Sequence, residues 1–273
     1  MQLNQKVHRF HKNQALSLIE ILIALLMFAI VMAAFNQVFN GSMRSSRELN
    51  ISSELTSEAQ LAQQIVNSRL TEATYIYPTA TTLSLDSNAL TTNSIRPSAG
   101  QQWLVGTDPF LAAILPPAPG SSDLMFYAYY PMKRNHYLSA MASVSKVHPN
   151  PDPTNDDAVW VLLEYRKAYT TADGLFALPS AAQIRGGQSL LLLDYLQPQS
   201  NNSPIALDYT LFTINTAEQR IFFDLRLMQY LGQTGKCNDV KRLPQMSCST
   251  GQVGNALRSV IMPRNFYLGS DYP

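Results

Sequence analysis

Proline is absent from the first 77 residues of the chain, and glycine is nearly absent from them. All 16 prolines lie at or beyond Pro78, and of the 12 glycines only Gly41 comes before Gly100. Because proline breaks helices and glycine weakens them, residues 1–77 are free to be helical almost throughout. The rest of the chain is interrupted at short intervals by these residues, as in a domain of strands and loops.

Cysteine is also scarce. Cys237 and Cys248 are the only two, with ten residues between them, and the four histidines lie far from both in the sequence. A zinc site would need further ligands nearby. We therefore expect a disulfide between Cys237 and Cys248, and hence an oxidising compartment. The alternative is a pair of unrelated buried thiols in a cytosolic protein.

A strong excess of charge of one sign is missing as well. Formal net charge is +1, and once Lys6, Arg9 and Lys12 are set aside, 17 basic residues face 19 acidic ones. This balance argues against a phosphate-binding surface and against nucleic-acid binding. The chain also lacks the nucleophile-elbow, P-loop, dinucleotide-binding and His-Glu-x-x-His motifs. We therefore predict no enzymatic activity, no cofactor and no metal.

A long apolar run fills residues 16–35, where only Ser17 and Glu20 are polar. Twenty helical residues span about 30 Å, the thickness of the hydrocarbon core of a bilayer. Basic residues precede the run and none follows until Arg44, which predicts a cytoplasmic N-terminus and a translocated body. A signal peptide cut after Ala33 and a plain signal anchor both fit this outline. Neither explains Glu20, because a carboxylate is costly inside a membrane.

The residues around this glutamate resemble a known family. The sequence Ala-Leu-Ser-Leu-Ile-Glu at residues 15–20 resembles the prepilin peptidase site of type IV pilins and of type II secretion pseudopilins. The resemblance implies cleavage between Ala15 and Leu16 by prepilin peptidase and N-methylation of Leu16. The apolar helix would remain as the membrane anchor. Other pilins and the inner-membrane assembly platform are the implied partners.

Glu20 would be the fifth residue of the mature chain, as in that family. The freed amino group of Leu16 is a cation, and Glu20 lies one turn away, about 6 Å along the helix axis. Each charge is costly alone in a low-dielectric helix bundle and tolerable when paired. The amino terminus of a neighbouring subunit could therefore dock against Glu20. The alternative is that Glu20 pairs only with its own amino terminus or with the headgroup layer.

Beyond the membrane segment, apolar residues recur at steps of three or four, which predicts an amphipathic helix extending to about residue 74. This apolar stripe consists of Ile51, Leu55, Ala59, Ala62, Val66, Leu70 and Ala73. Gly41 is either a hinge in the helix or an ordinary exposed glycine. We predict four segments: a basic leader (1–15), a membrane and filament-core helix (16–40), an amphipathic helix (41–77) and a β-rich head (78–273). The predicted fold class is α+β, with the helix packed on an antiparallel sheet.

Strand patterns recur in the head. The candidates are residues 124–130, 158–165, 189–196, 205–214 and 219–228. The last two predict a hairpin that turns at residues 215–218, and alternation places Ile221, Phe223, Leu225 and Leu227 on one face. Residues 79–123 are rich in Thr, Ser, Ala and Pro, and we predict a loop-heavy insertion there.

Four aromatic residues, Phe126, Tyr127, Tyr129 and Tyr130, fall within one of these strands. They could form a stacking platform for DNA or sugar. Aromatic residues that alternate along a strand are more typical of sheet packing. In that case both faces of the strand must be covered, or the strand is partly exposed.

The acidic segment at residues 152–157 offers oxygen ligands from Asp152, Asn155, Asp156 and Asp157. Calcium prefers such ligands, but the spacing and the glycine of an EF-hand loop are missing. The pattern therefore favours a solvated turn.

The end of the chain carries a second resemblance. Pro263-Arg264-Asn265 resembles the endings of PilW-like minor pilins and of the type II secretion pseudopilin J group. This resemblance implies a PilW-like minor pilin, first in the inner membrane with a periplasmic head and then in the pilus. Two alternatives stay open. One is a type II secretion pseudopilin, and the other is a pilus-tip adhesin or DNA-uptake subunit with an exposed basic or aromatic patch.

Overall fold

The computed structural model describes residues 18–86, 88–141, 149–171, 176–197, 210–230, 245–248 and 252–263. The chain divides into two compact units, Met1–Asn50 and Ile51–Pro273. A long N-terminal helix and a large antiparallel sheet make up most of the described structure. The α+β class predicted from the sequence is confirmed.

Helix α1 extends from Leu18 to Glu72 without interruption. The absence of proline before Pro78 permits a helix of this length. Gly41 lies within the helix and is exposed, and a Cβ atom there would meet nothing within 4 Å. The backbone is thus helical at Gly41, as expected for an ordinary exposed glycine. The predicted end, near residue 74, is two residues too late.

Eleven named strands, two short α-helices and two 3₁₀ helices follow α1 in the described residues. The α-helices are α2 (Arg134–Met141) and α3 (Ala181–Ile184), and the 3₁₀ helices span Ala89–Thr91 and Pro97–Ala99. The strands are β1 (Tyr75–Ile76), β2 (Thr82–Ser84), β3 (Gln102–Leu104), β4 (Leu111–Leu115), β5 (Leu124–Lys133), β6 (Trp160–Tyr169), β7 (Gln188–Leu196), β8 (Phe212–Asn215), β9 (Arg220–Tyr230), β10 (Gln245–Cys248) and β11 (Gln252–Ile261).

Nine of these strands form one antiparallel sheet in the order β1-β4-β5-β6-β7-β9-β11-β10, with β8 also paired to β9. The β8–β9 pairing sets Asn215 opposite Arg220, so the predicted hairpin with its turn at residues 215–218 is confirmed. The first part of the predicted strand at 205–214 lies outside the described residues. Strands β2 and β3 form a separate two-stranded sheet.

One face of the sheet packs against the C-terminal part of α1. Five residues of the predicted stripe are buried within the helix: Leu55, Ala59, Ala62, Val66 and Leu70. Ala73, the last residue of the stripe, is buried just past its end. The predicted inward face of β9 (Ile221, Phe223, Leu225 and Leu227) belongs to the same core, and this prediction is confirmed.

The opposite face of the sheet has its own hydrophobic core, built with residues that follow α1 and precede β4. Phe126 and Tyr130 point into this second core, whereas Tyr127 and Tyr129 point into the helix-side core. All four are buried. Both faces of β5 are therefore covered, and these residues pack the sheet rather than forming an exposed stacking platform.

The predicted loop-heavy insertion at residues 79–123 is wrong in part. Strand β4 (Leu111–Leu115) lies within it, is buried at every position and pairs with β5. Its sequence, Leu-Ala-Ala-Ile-Leu, lacks apolar-polar alternation because both faces of the strand are covered. Trp103 of β3 is completely buried as well, and its indole N–H donates to the carbonyl oxygen of Thr91 at 3.0 Å.

Candidate functional site

Glu20 lies in the first turn of α1 and is exposed. Ala15 and Leu16, the predicted cleavage and methylation positions, lie outside the described residues. The structure thus places the predicted docking carboxylate two residues after Leu18, the first described residue of the helix.

The N-terminal part of α1 exposes a continuous apolar surface. Its most apolar 18-residue window has a mean hydropathy of 2.8 and no buried residue. Leucine, isoleucine, methionine and phenylalanine side chains cover this surface, as in Leu18 (77% exposed) and Phe28 (63% exposed). A surface of this size requires lipid or other apolar helices around it. Within the described residues, α1 alone is long and apolar enough to cross a membrane.

An ion pair fixes the end of α1 on the sheet. Arg69 Nη1 donates to Glu164 Oε1 of β6 at 2.7 Å, and the glutamate side chain is only 4% exposed. The guanidinium of Arg69 also lies 4.6 Å from the ring centroid of Tyr127. Tyr129 is the cross-strand neighbour of Glu164. Among the described residues, the Tyr129 hydroxyl and Glu164 Oε2 have no hydrogen-bond partner of good geometry.

Burial raises the pKa of the Glu164 carboxyl above its usual range, although the charges of Arg69 and Arg166 lower it. The folded protein therefore holds this proton more tightly than the unfolded chain does. The resulting stabilisation is complete below the unfolded-state pKa and is lost as the pH rises through the folded-state pKa. Burial, together with the nearby Glu164, also raises the pKa of Tyr129 well above its usual value.

The two partners of this ion pair should differ in how much stability their replacement costs. Arg69→Ala leaves a carboxylate in the core without its partner and should lower the free energy of unfolding by about 3 kcal/mol at neutral pH. Glu164→Gln removes the charge that burial disfavours. It should cost less than about 1 kcal/mol and weaken the loss of stability between acidic and neutral pH. Urea unfolding of the full chain in nonionic detergent, followed by tryptophan fluorescence, measures both. Equal losses for the two variants would contradict this account.

A second buried ionic network centres on Arg134, which sequence reasoning missed. This residue is 1% exposed. Its Nε donates to Asp194 Oδ1 at 2.9 Å, and its Nη2 donates to Asp194 Oδ2 at 3.1 Å and to the carbonyl oxygen of Asn150 at 2.7 Å. Nη1 donates to the Asp156 carboxylate. The guanidinium also lies 5.3 Å from the ring centroid of Tyr195.

The acidic segment at residues 152–157 is part of this network and is not simply a solvated turn. Asn155 is 1% exposed, and its side chain exchanges two hydrogen bonds with the backbone of Tyr230, at 2.7 and 3.1 Å. The Asp156 carboxylate forms an ion pair with Arg134. In the described part of the chain, no group of three or more His, Cys, Asp or Glu side chains could hold a metal ion.

The structure does not describe the predicted disulfide. Cys237 lies outside the described residues, and Cys248 ends strand β10, where only the backbone is described. The bridge stays a prediction from the sequence.

Comparison with known proteins identifies the N-terminal segment. The prokaryotic N-terminal methylation motif matches residues 10–35, which is 26 of the 273 residues. The match includes Ala15, Leu16 and Glu20. No curated protein and no solved structure matches the chain.

The class follows from this match and from the fold together. They support a type IV prepilin-like protein with one N-terminal membrane anchor, in which the anchoring helix continues into an α+β head. Both pilins and pseudopilins fall within this description.

Proposed function

We propose that this chain is a minor pilin of the PilW type, which enters type IV pili and supports their assembly at the tip or in the initiation complex. The observation that carries the proposal is the methylation motif at residues 10–35, which is continuous with α1. The helix in turn packs its apolar stripe on a large sheet. One element therefore serves as both membrane segment and head support.

The proposed route begins in the inner membrane. Lys6, Arg9 and Lys12 keep the N-terminus in the cytoplasm, and the head is exported. Prepilin peptidase cleaves between Ala15 and Leu16 and methylates the new amino terminus. The freed helix then moves from the membrane into the filament, where pilin helices take the place of lipid around its apolar surface.

The proposed role in the pilus needs no catalysis by the chain itself. Assembly relies on the exposed apolar helix, on Glu20 and on a head that folds stably around the C-terminal part of α1. We propose that the partners are prepilin peptidase, the major and minor pilins and the inner-membrane assembly platform. The head then faces the periplasm and, after assembly, the cell surface.

The location of the chain tests this proposal. Surface filaments sheared from cells should contain it together with the major pilin, and a deletion strain should carry several-fold fewer filaments until the gene is restored. Immunoblots of filament and membrane fractions measure the first result, and electron microscopy measures the second.

Two other outcomes would favour the alternatives. If the chain stays in the cell envelope and its deletion blocks protein secretion while leaving pili intact, it is a type II secretion pseudopilin. If filament number is unchanged but surface attachment or DNA uptake is lost, the head is a ligand-binding subunit.

A further inference from the structure

Strand β11 extends well past the strand that lies outside it in the sheet. On one side, β9 pairs with β11 along the whole of Gln252–Ile261, in a register without a bulge. On the other side, β10 pairs only with Gln252–Asn255. Among the described residues, no strand lies on that side of residues 257–261. This part of β11 is therefore a free edge of the sheet, and we call it the β11 edge.

The direction of the backbone groups on the β11 edge follows from the hydrogen bonds of β9. The N–H of Asp224 donates to the carbonyl oxygen of the residue just before β8, at 3.0 Å. Backbone groups alternate between the two sides along a strand, so the residues on either side of Asp224 bond to β11. Their partners there are Leu257 and Ser259. The N–H and C=O groups of Arg258 and Val260 therefore point the other way, out of the sheet edge.

The β11 edge lacks most of the features that usually protect such an edge, which are proline, bulges and charged side chains. Strand β11 contains no proline, since Pro263 comes after its end, and it has no bulge against β9. The Val260 side chain is 48% exposed, whereas Ile261 on the other face is buried in the helix-side core. The Ser259 hydroxyl donates to the side-chain oxygen of Asn67 on α1 at 3.1 Å. The edge is thus fixed by the fold and open to a further strand.

One charged side chain lies on the β11 edge, and it is a cation. Arg258 is the single charged residue in residues 245–262, and it is exposed. Its guanidinium lies 5.1 Å from the ring centroid of Phe222. The carboxylate of its cross-strand neighbour, Asp224, is bonded to Arg226 at 3.4 Å. Within the described part of the chain, Arg258 has no ion pair of its own, so the edge carries an unneutralised positive charge.

We propose that the β11 edge accepts a β-strand of another protein, with an aspartate or glutamate beside Arg258 and an apolar residue beside Val260. The outward N–H and C=O groups of these two residues bond the backbone of the added strand. Opposite charges on neighbouring strands stabilise a sheet and like charges destabilise it. A second copy of the same edge would not neutralise Arg258, because residues 245–262 contain no carboxylate. The proposal does not depend on the role of the chain in pili.

Selection of random peptides displayed on phage, against the full-length protein in nonionic detergent, tests this site. The enriched peptides should alternate apolar and polar residues and carry Asp or Glu. With Arg258→Glu as the target, they should carry Lys or Arg instead, because the charge on the edge is reversed. Arg185→Glu is the matched control, since it makes the same change at an exposed arginine at the end of α3. It should select the same peptides as the wild type.

Fluorescence anisotropy with one enriched peptide measures its affinity for the edge. Val260→Pro should weaken binding about tenfold, because it removes an N–H that points outward and no hydrogen bond to β9. Val260→Thr keeps this N–H and should bind nearly as well as the wild type. Tryptophan fluorescence checks that each variant is folded. Failure to enrich any peptide, enrichment of the same peptides by Arg258→Glu, or full affinity in Val260→Pro would each overturn the proposal.

Discussion

Replacing Arg134 by alanine should lower the free energy of unfolding of the head by about 3–5 kcal/mol. The side chain is 1% exposed, and it pairs with Asp194 and Asp156, whose side chains are 10% and 20% exposed. Its removal leaves both carboxylates with little water and no cation. It also leaves the carbonyl oxygen of Asn150 without its donor.

The large size of this effect comes from geometry as well as charge. The fork of the guanidinium reaches both oxygens of Asp194, the backbone at Asn150 and the Asp156 carboxylate, so α2, β7 and the 150–156 segment are joined at one group. Lysine carries the same charge but cannot form these parallel bonds. Arg134→Lys should therefore fall between wild type and Arg134→Ala.

Urea unfolding of the full chain measures the loss. Both tryptophans, Trp103 and Trp160, are buried in the head at 0% and 4% exposure, so their fluorescence reports on this unit. Arg220→Ala is a suitable control, because its pair with Glu218 is exposed on both sides and should contribute less than about 1 kcal/mol. If Arg134→Ala were as stable as this control, the network would have no structural role.

Replacing Glu20 by leucine should reduce incorporation into filaments by about tenfold or more, while cleavage and membrane insertion persist. Leucine makes a more favourable membrane segment, so a loss of assembly cannot be attributed to poor insertion. If the carboxylate docks the amino terminus of a neighbouring subunit, its removal leaves that cation unpaired among apolar helices. Glu20→Gln keeps size and hydrogen bonding without the charge, and it should show a loss of the same kind.

Immunoblots of sheared filaments and membranes decide this in a strain that lacks the wild-type copy. Glu48→Gln is the matched control on the same helix, since Glu48 pairs with Arg44 in an exposed contact at 2.9 Å that should matter little. Normal filament incorporation of Glu20→Leu would mean that Glu20 serves only its own amino terminus or the headgroup layer. The prepilin-like class would still stand.

Periodicity explains which parts of the fold could be predicted. Helix α1 and strand β9 each bury one face, so their apolar residues recur at the helical or the strand period. Strand β4 could not be found in this way because both of its faces are covered. Both faces of β5 are covered as well, and for this reason the sequence left its aromatic residues open to two interpretations, a stacking platform or sheet packing.

The buried ion pairs of the head could not be predicted from the sequence. Arg134 and Asp194 are 60 residues apart in the sequence, and Arg69 and Glu164 are 95 apart. Nothing in the local pattern around these residues distinguishes them from surface charges.

Glu20 is the contrasting case, because a charge within an apolar run is visible in the sequence itself. Its position, four residues after Leu16, was a basis for predicting the prepilin class. The methylation motif at residues 10–35 supports that class. In the proposed filament the neighbours of Glu20 would belong to other chains, which one sequence does not specify.

The central claim, that the chain is processed as a prepilin, is tested most directly at the mature N-terminus. Mass spectrometry of the protein purified from cells should find Leu16 as the first residue, with a methyl group on its amine. An N-terminus at Ala34 would instead mean removal of the apolar run by an ordinary signal peptidase, and it would contradict the claim.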